Sequence, residues 1–258
     1  MTKTPAPIRQ MPVTKAFSHI VSGIAHHWQK ALGVALPWLL LSTLLNVWSF
    51  KTHPPSTNPM ADFNLNWTDW AIVTISLIAQ ASVAVSWNQF VFQDKPMNLA
   101  AAFRVDKPVW LYLGRVIFIA LLCTVPLVAI IISGAVLPRI FFPVIGGLFV
   151  QLIVFAHRMM ISLPGLAIGD TQTTVKHTME LTRGNNLRIL GLVAMVYAMI
   201  LVVFMLFLSL VGTLNAASPN LGLVASFILG IPVLFLHLML TTNMLTSLYG
   251  YFVQGRDF

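Results

Sequence analysis

Residues 181–188 read Leu-Thr-Arg-Gly-Asn-Asn-Leu-Arg, an island of polar groups between two long apolar runs. These residue types could cradle a phosphate, because glycine lets the backbone approach closely while guanidinium and amide groups donate hydrogen bonds. Yet the island holds one glycine and lacks the lysine-serine continuation of a nucleotide-binding loop. Its placement points to a corner instead. Leu181 and Thr182 end a helix, Gly184 caps it in a left-handed conformation, and Arg188 snorkels at the start of the next apolar run. The arginines of such a corner stay within reach of lipid phosphates.

Other chemistry has less to work with. A haem or metal site needs histidines or carboxylates converging at one depth. Only His237 lies deep in an apolar run; His157 and His177 sit near run ends, His53 in a polar loop, and His19, His26 and His27 on the polar side of an amphipathic stretch. No cofactor is expected. Intramembrane aspartyl proteolysis needs two carboxylates at membrane depth, and none of Asp62, Asp69, Asp94, Asp106, Asp170, Glu180 and Asp257 is there. No phosphate-binding loop, His-Glu-x-x-His pair or Gly-x-Ser-x-Gly elbow occurs, so nucleotide hydrolysis, zinc proteolysis and serine hydrolysis lack support. Cys123, the single cysteine, lies within an apolar run and builds neither disulfide nor thiolate cluster. The polar residues inside the runs are mainly Gln80, Asn88, Gln151, His237 and Asn243, and the absence of a deep charge argues against ion-coupled transport.

The elements that hold these residues belong in a bilayer. The chain of 258 residues is 57% hydrophobic and 9% charged, against about 45–50% and about 25% in soluble domains. A spanning helix needs about 20 mainly apolar residues, since only helices and closed barrels satisfy the backbone in hydrocarbon. Six stretches qualify: Ala31–Phe50, Trp70–Phe92, Pro108–Ser133, Ile140–Ala156, Ile189–Leu214 and Leu221–Tyr249. They are too long and continuous for barrel strands, and Pro37, Pro126, Pro143 and Pro232 could kink them. With both termini cytoplasmic, 13 of the 15 basic residues fall inside, leaving Lys51 and Arg139 outside, as the positive-inside rule requires. The net charge of +8 is then orientation charge, and no nucleic-acid partner is implied. The first 30 residues form no continuous apolar core, so no cleaved leader is expected.

Residues 1–30 form a cytoplasmic segment, and residues 31–258 the six-span bundle of a single membrane domain. Within the first segment, Phe17, Ile20, Val21, Ile24, Ala25 and Trp28 make a helical apolar stripe. It either lies in the interface with Trp28 at the headgroup level or packs on the cytoplasmic ends of the bundle. Similar segments, Asp94–Lys107 and Asp170–Arg183, each begin with aspartate, a good N-cap, and superpose with an offset of 76 residues. Leu-Gly pairs at Leu32-Gly33, Leu113-Gly114 and Leu190-Gly191 open the odd-numbered spans. A threefold internal repeat, each unit an interfacial helix followed by two spans, is therefore possible.

The stretch RMMISLPGLAIGDTQTTVKHTMELTRGNNLRILGL, Arg158–Leu192, resembles a family of uncharacterised six-span bacterial inner-membrane proteins related to the membrane domain attached to some glycerophosphodiester phosphodiesterases. Leu163, Pro164, Leu166, Ala167, Gly169 and Asp170 match its turn, and Leu181, Thr182, Arg183, Gly184 and Asn185 the end of its next helix. The SWNQFVFQDKP and SLYGYFVQGRD segments also fit. Relatives often carry an aromatic near Asn186 or Leu187, and this chain has none there. The resemblance implies a bacterial inner-membrane location and no established activity; phosphodiesterase chemistry does not transfer to a chain without a catalytic barrel.

The expectation is an all-α polytopic bundle with cytoplasmic interfacial amphipathic helices. Its function is read as non-enzymatic: binding of lipid, especially anionic lipid, or of a partner protein through the basic cytoplasmic face. The contact residues are Trp28, Lys30, Arg104, Lys107, Arg158, Lys176, Arg183 and Arg188. Two alternatives stay open: a carrier for a lipid or small amphiphile, requiring a cavity that reaches Gln80, Gln151 or His237, and an accessory subunit of a respiratory or photosynthetic complex. Asn243 completes the intramembrane polar set.

Overall fold

A computed structural model describes residues 9–52, 67–170 and 172–258, with helices and turns and no strand among them. The helices, in chain order, are α1 Val13–Thr52, α2 Trp67–Gln93, α3 Leu99–Ala102, α4 Lys107–Val136, α5 Phe142–Met160, α6 Leu163–Ile168, α7 Val175–Leu181, α8 Asn186–Ala217 and α9 Pro219–Phe252. Six helices are long and apolar enough to cross a membrane. The chain is thus an all-α polytopic membrane bundle. Arg9, the first described residue, pairs with Asp257 at one end of the bundle, here termed the near end. The turns between α4 and α5 and between α8 and α9 lie at the opposite, far end.

Prolines mark several starts. Pro108, Pro143, Pro164 and Pro219 occupy the first two positions of α4, α5, α6 and α9, where an amide hydrogen has no intrahelical partner to lose. Pro143 therefore begins a span and does not kink one. Pro37, Pro126 and Pro232 lie inside α1, α4 and α9. In α1 the non-helical residue is His27 (φ −120°, ψ 18°), which bends the helix between its amphipathic first turns and its span. Those first turns do not lie free in the interface: Ala16, Ile20 and Ile24 are buried in the main core, with Phe17 and Val21 packed against it. Of the two placements expected for this stripe, packing on the bundle is the one observed.

The other two amphipathic segments are shorter than expected. Asp94 does not cap a helix; it takes a left-handed conformation (φ 52°), and α3 begins only after Asn98, whose side chain accepts from the Ala101 amide. Asp170 likewise precedes a loop, and Thr174 caps α7 by accepting from the His177 amide. In both segments a nearby Asn or Thr satisfies the first turn, leaving Asp170 to other partners. The structural segments preceding the second and third span pairs thus differ, four residues in α3 against seven in α7, despite the sequence offset that superposes them.

The core sits at the near end. The buried residues of α4 are Val109, Tyr112, Leu113 and Ile119, all in its first half. Those of α5 are Val154, His157 and Met159, near its end, and those of α8 are Ile189, Leu192, Val193 and Val196, near its start. In α9, burial is continuous from Leu238 to Leu240 and again from Thr242 to Phe252. These positions sit at one level because neighbouring spans run antiparallel.

Candidate lipid-contact face and intramembrane groove

The corner anticipated at residues 181–188 is present, and it holds down the N-terminal segment. Thr182 is the C-cap of α7, and Gly184, expected as the cap, lies two residues on in the turn at φ 79°, a left-handed conformation that glycine takes without strain. Asn185, 1% exposed, offers no cap bond to α8. Its Oδ1 accepts from the Met11 amide (3.1 Å) and its Nδ2 donates to the Arg9 carbonyl oxygen (2.9 Å), pairing with the backbone as a neighbouring strand would. Arg188, expected to snorkel, donates to the Met11 carbonyl (3.2 Å) and to Gln10 Oε1 (2.6 Å). Tyr251 donates to the Gln10 carbonyl (2.7 Å) while Arg9 lies 4.0 Å over its ring and Phe258 stacks on it at 4.8 Å.

Arg158 approaches the corner from α5. Its Nε donates to Thr182 Oγ1 (2.8 Å), its Nη1 to Asn186 Oδ1 (3.0 Å) and its Nη2 to the Met179 carbonyl. Arg104 is engaged too, by Asp106 and by Gln89 Oε1. Of the eight anticipated contact residues, Arg104, Arg158 and Arg188 therefore act as internal ties: each guanidinium is worth more against fixed acceptors than in water. The other five, Trp28, Lys30, Lys107, Lys176 and Arg183, are exposed at the near end. Lys30 extends over the Phe90 ring at 4.8 Å, a contact compatible with a solvated ammonium.

The near-end carboxylates are more occupied. Asp106 pairs with Arg104 and Asp257 with Arg9. Asp170 accepts from the Thr173 hydroxyl, from the Tyr249 phenol (2.7 Å) and from the Gln172 amide (2.9 Å). Burial opposes its ionisation, but these hydrogen bonds outweigh burial and hold its carboxyl below the usual carboxylate range. This explains why Asp170 is unavailable as a helix cap.

The intramembrane polar residues divide as well. Asn243 is buried and fully used: Nδ2 donates to the Ile20 carbonyl (2.7 Å), and Oδ1 accepts from Trp87 Nε1 (3.2 Å). Asn88 is its counterpart one turn along, donating to the Ala84 carbonyl (2.7 Å) and accepting from Thr246 Oγ1 (3.0 Å). Gln151 and His237 are exposed on the outside of the bundle. Gln80 is exposed at the margin of a groove of about 150 Å³, whose walls include Ala81 and Ala84 of α2, Tyr112 of α4 and Leu245 of α9. Among the described residues no three His, Cys, Asp or Glu side chains gather where they could hold a metal ion.

Two contributors escaped the expected set. Asn185 belongs to the polar island and to the motif of the resemblance, but its pairing with Arg9 and Met11 joins positions more than 170 apart, which no local spacing reveals. Gln89, whose Nε2 donates to the Ala167 carbonyl (2.8 Å), lies within the SWNQFVFQDKP segment, but nothing in that segment singles it out for a role. No family model, curated protein or solved structure matches the chain, so the chemistry of this face rests on its own geometry.

Proposed function

We propose that the chain is a non-enzymatic integral protein of the bacterial inner membrane, with both termini cytoplasmic, whose near-end rim binds anionic lipid headgroups. The observation that carries this reading is a charge imbalance in what is left over after folding. Lys15, Lys30, Lys107, Lys176 and Arg183 are exposed without an ion-pair partner among the described residues, whereas Asp106, Asp170 and Asp257 are taken by internal partners. Only Asp94 and Glu180 oppose them there. Such cations add about 1 kcal/mol each near an anionic surface, and the 13-to-2 distribution of basic residues supports that surface being the cytoplasmic leaflet.

Replacing Lys107, Lys176 and Arg183 together by glutamine tests the rim. Native mass spectrometry of the full chain with added phosphatidylglycerol should show fewer lipid adducts at low salt than the unaltered protein, a difference that fades as salt screens the exposed charges. Equal adduct numbers at low salt would refute a lipid-binding rim and favour a protein partner. The carrier reading draws on the groove at Gln80, but Gln151 and His237 point to no shared path with it.

A further inference from the structure

Arg115 places a charge about two turns into α4, one of the six helices able to span a membrane. It stands eight residues beyond Lys107, the first residue of α4, which at 1.5 Å per residue is about 12 Å along the helix. The two ion pairs among the described residues both involve other arginines. Among the described residues the Arg115 guanidinium makes one hydrogen bond, from Nη1 to Ser162 Oγ at 3.3 Å, and that hydroxyl already donates to the Met159 carbonyl at 2.7 Å. One of its five donors thus has a long, neutral acceptor, and the other four have no partner among the described residues. An intramembrane arginine normally has a carboxylate, a ring of carbonyls or water to offset its burial, and the protein supplies little of that here.

The groove described above is lined by residues that flank Arg115 and Ser162 in the chain, although neither of the two lines it. Tyr112, Leu113 and Val116 line it from the helix that carries Arg115, Met160 and Leu163 line it from either side of Ser162, and Gln80 marks its extent on α2. A cation at the edge of an apolar slot between spans is the arrangement that accepts an anionic headgroup together with part of its chain. We infer that Arg115 and the groove form a site between spans for one anionic phospholipid, its phosphate paired with the guanidinium and part of one acyl chain lying between α2 and α4 toward Gln80. A phosphate oxygen pair matches the planar fork of arginine, which lysine cannot reproduce.

This inference deepens the lipid-binding reading but concerns a different place, so the two can fail separately. Rim adducts rest on exposed charges and disperse in salt; the Arg115 lipid is partly enclosed and survives it. The experiment is native mass spectrometry of delipidated full-length chain, incubated with phosphatidylglycerol or phosphatidylcholine at rising salt. One phosphatidylglycerol per chain is expected to persist at high salt, and phosphatidylcholine is not. Arg115→Gln should lower that occupancy about tenfold or more, the scale of a lost charge-assisted hydrogen bond, and Arg115→Lys by less. Val116→Phe keeps the charge and fills the groove from its half-exposed wall, and should also displace the lipid. The triple rim variant should retain it. Wild-type occupancy in Arg115→Gln, wild-type occupancy in Val116→Phe, or equal retention of the two lipids would each overturn the site.

Discussion

The near and far ends of the same helices are built on different terms. In α4, Tyr112 and Leu113 are buried against α2 and α6, while Val125, two turns and more beyond Val116, is 75% exposed, as is Val136. In α8, Ile189, Leu192 and Val196 are buried, while Leu201, Met205 and Leu206 are exposed. The composition barely changes between the two halves, since both are aliphatic. What changes is the partner: protein at the near end, and the surroundings of the bundle at the far end. Lipid tails are as apolar as leucine, so nothing expels an aliphatic side chain from them toward another helix. Close packing and polar ties must hold spans together, and those are concentrated where Asn88, Asn185, Asn243 and Arg158 are.

The largest effect should come from emptying the near end. Trp87 is 1% exposed and its indole N–H is held by Asn243. Trp87→Ala would leave a cavity between α1, α2 and α9 and an Asn243 oxygen without its donor, costing about 3–5 kcal/mol. The measurement is reversible unfolding in mixed micelles titrated with dodecyl sulfate and followed by helical circular dichroism. A loss below about 1 kcal/mol, the ordinary scale of a point mutation, would mean that the near end is no more tightly packed than the far end, and the contrast would collapse.

The next effect concerns the strap formed by residues 9–12. Asn185→Ala would strand the buried Met11 amide, at about 1–3 kcal/mol, and release the part-buried Arg9 carbonyl, which water can reach. Stability should fall by less than for Trp87→Ala, and limited proteolysis should reach the backbone around Met11 sooner, because Arg188 and Tyr251 would be the side chains still bonded to the backbone of residues 10 and 11. Unchanged proteolysis would show that those two side chains suffice and that the amide pair is incidental.

The two ends also differ in how readable they are from the chain itself. The six spans are visible because each backbone must bond to itself in hydrocarbon, which makes run length a direct consequence of bilayer thickness. The Gly184 corner is visible for a similar local reason, the left-handed turn at glycine. Ties such as Asn185 to Arg9 and Met11, or Trp87 to Asn243, join residues separated by more than 150 positions, and no periodicity encodes them. The expected helix starts at Asp94 and Asp170 fail through competition: Asn98 and Thr174 make the caps, and Tyr249, on the last helix, shares in occupying Asp170. Sorting arginines that bind outward from those that bind inward has the same difficulty. Arg183 and Arg188 look alike in sequence, and only the path of residues 9–12 past Arg188 separates them.

The smallest effect is the most discriminating. Leu206 is 67% exposed in the outer half of α8. If lipid tails cover it, Leu206→Ala exchanges one apolar contact for another, and stability should change by no more than about 0.5 kcal/mol. The same variant measured in native membrane, by the heating needed to aggregate the protein, should again match the unaltered chain. A clear loss of stability in membrane that disappears after purification would identify Leu206 as covered by another protein chain, because truncation then leaves a void that mobile lipid would have filled. That outcome would favour the accessory-subunit reading for the far end while leaving the near-end packing intact. The far end, which contributes least to the stability of the isolated chain, is for that reason where a missing neighbour would be easiest to detect.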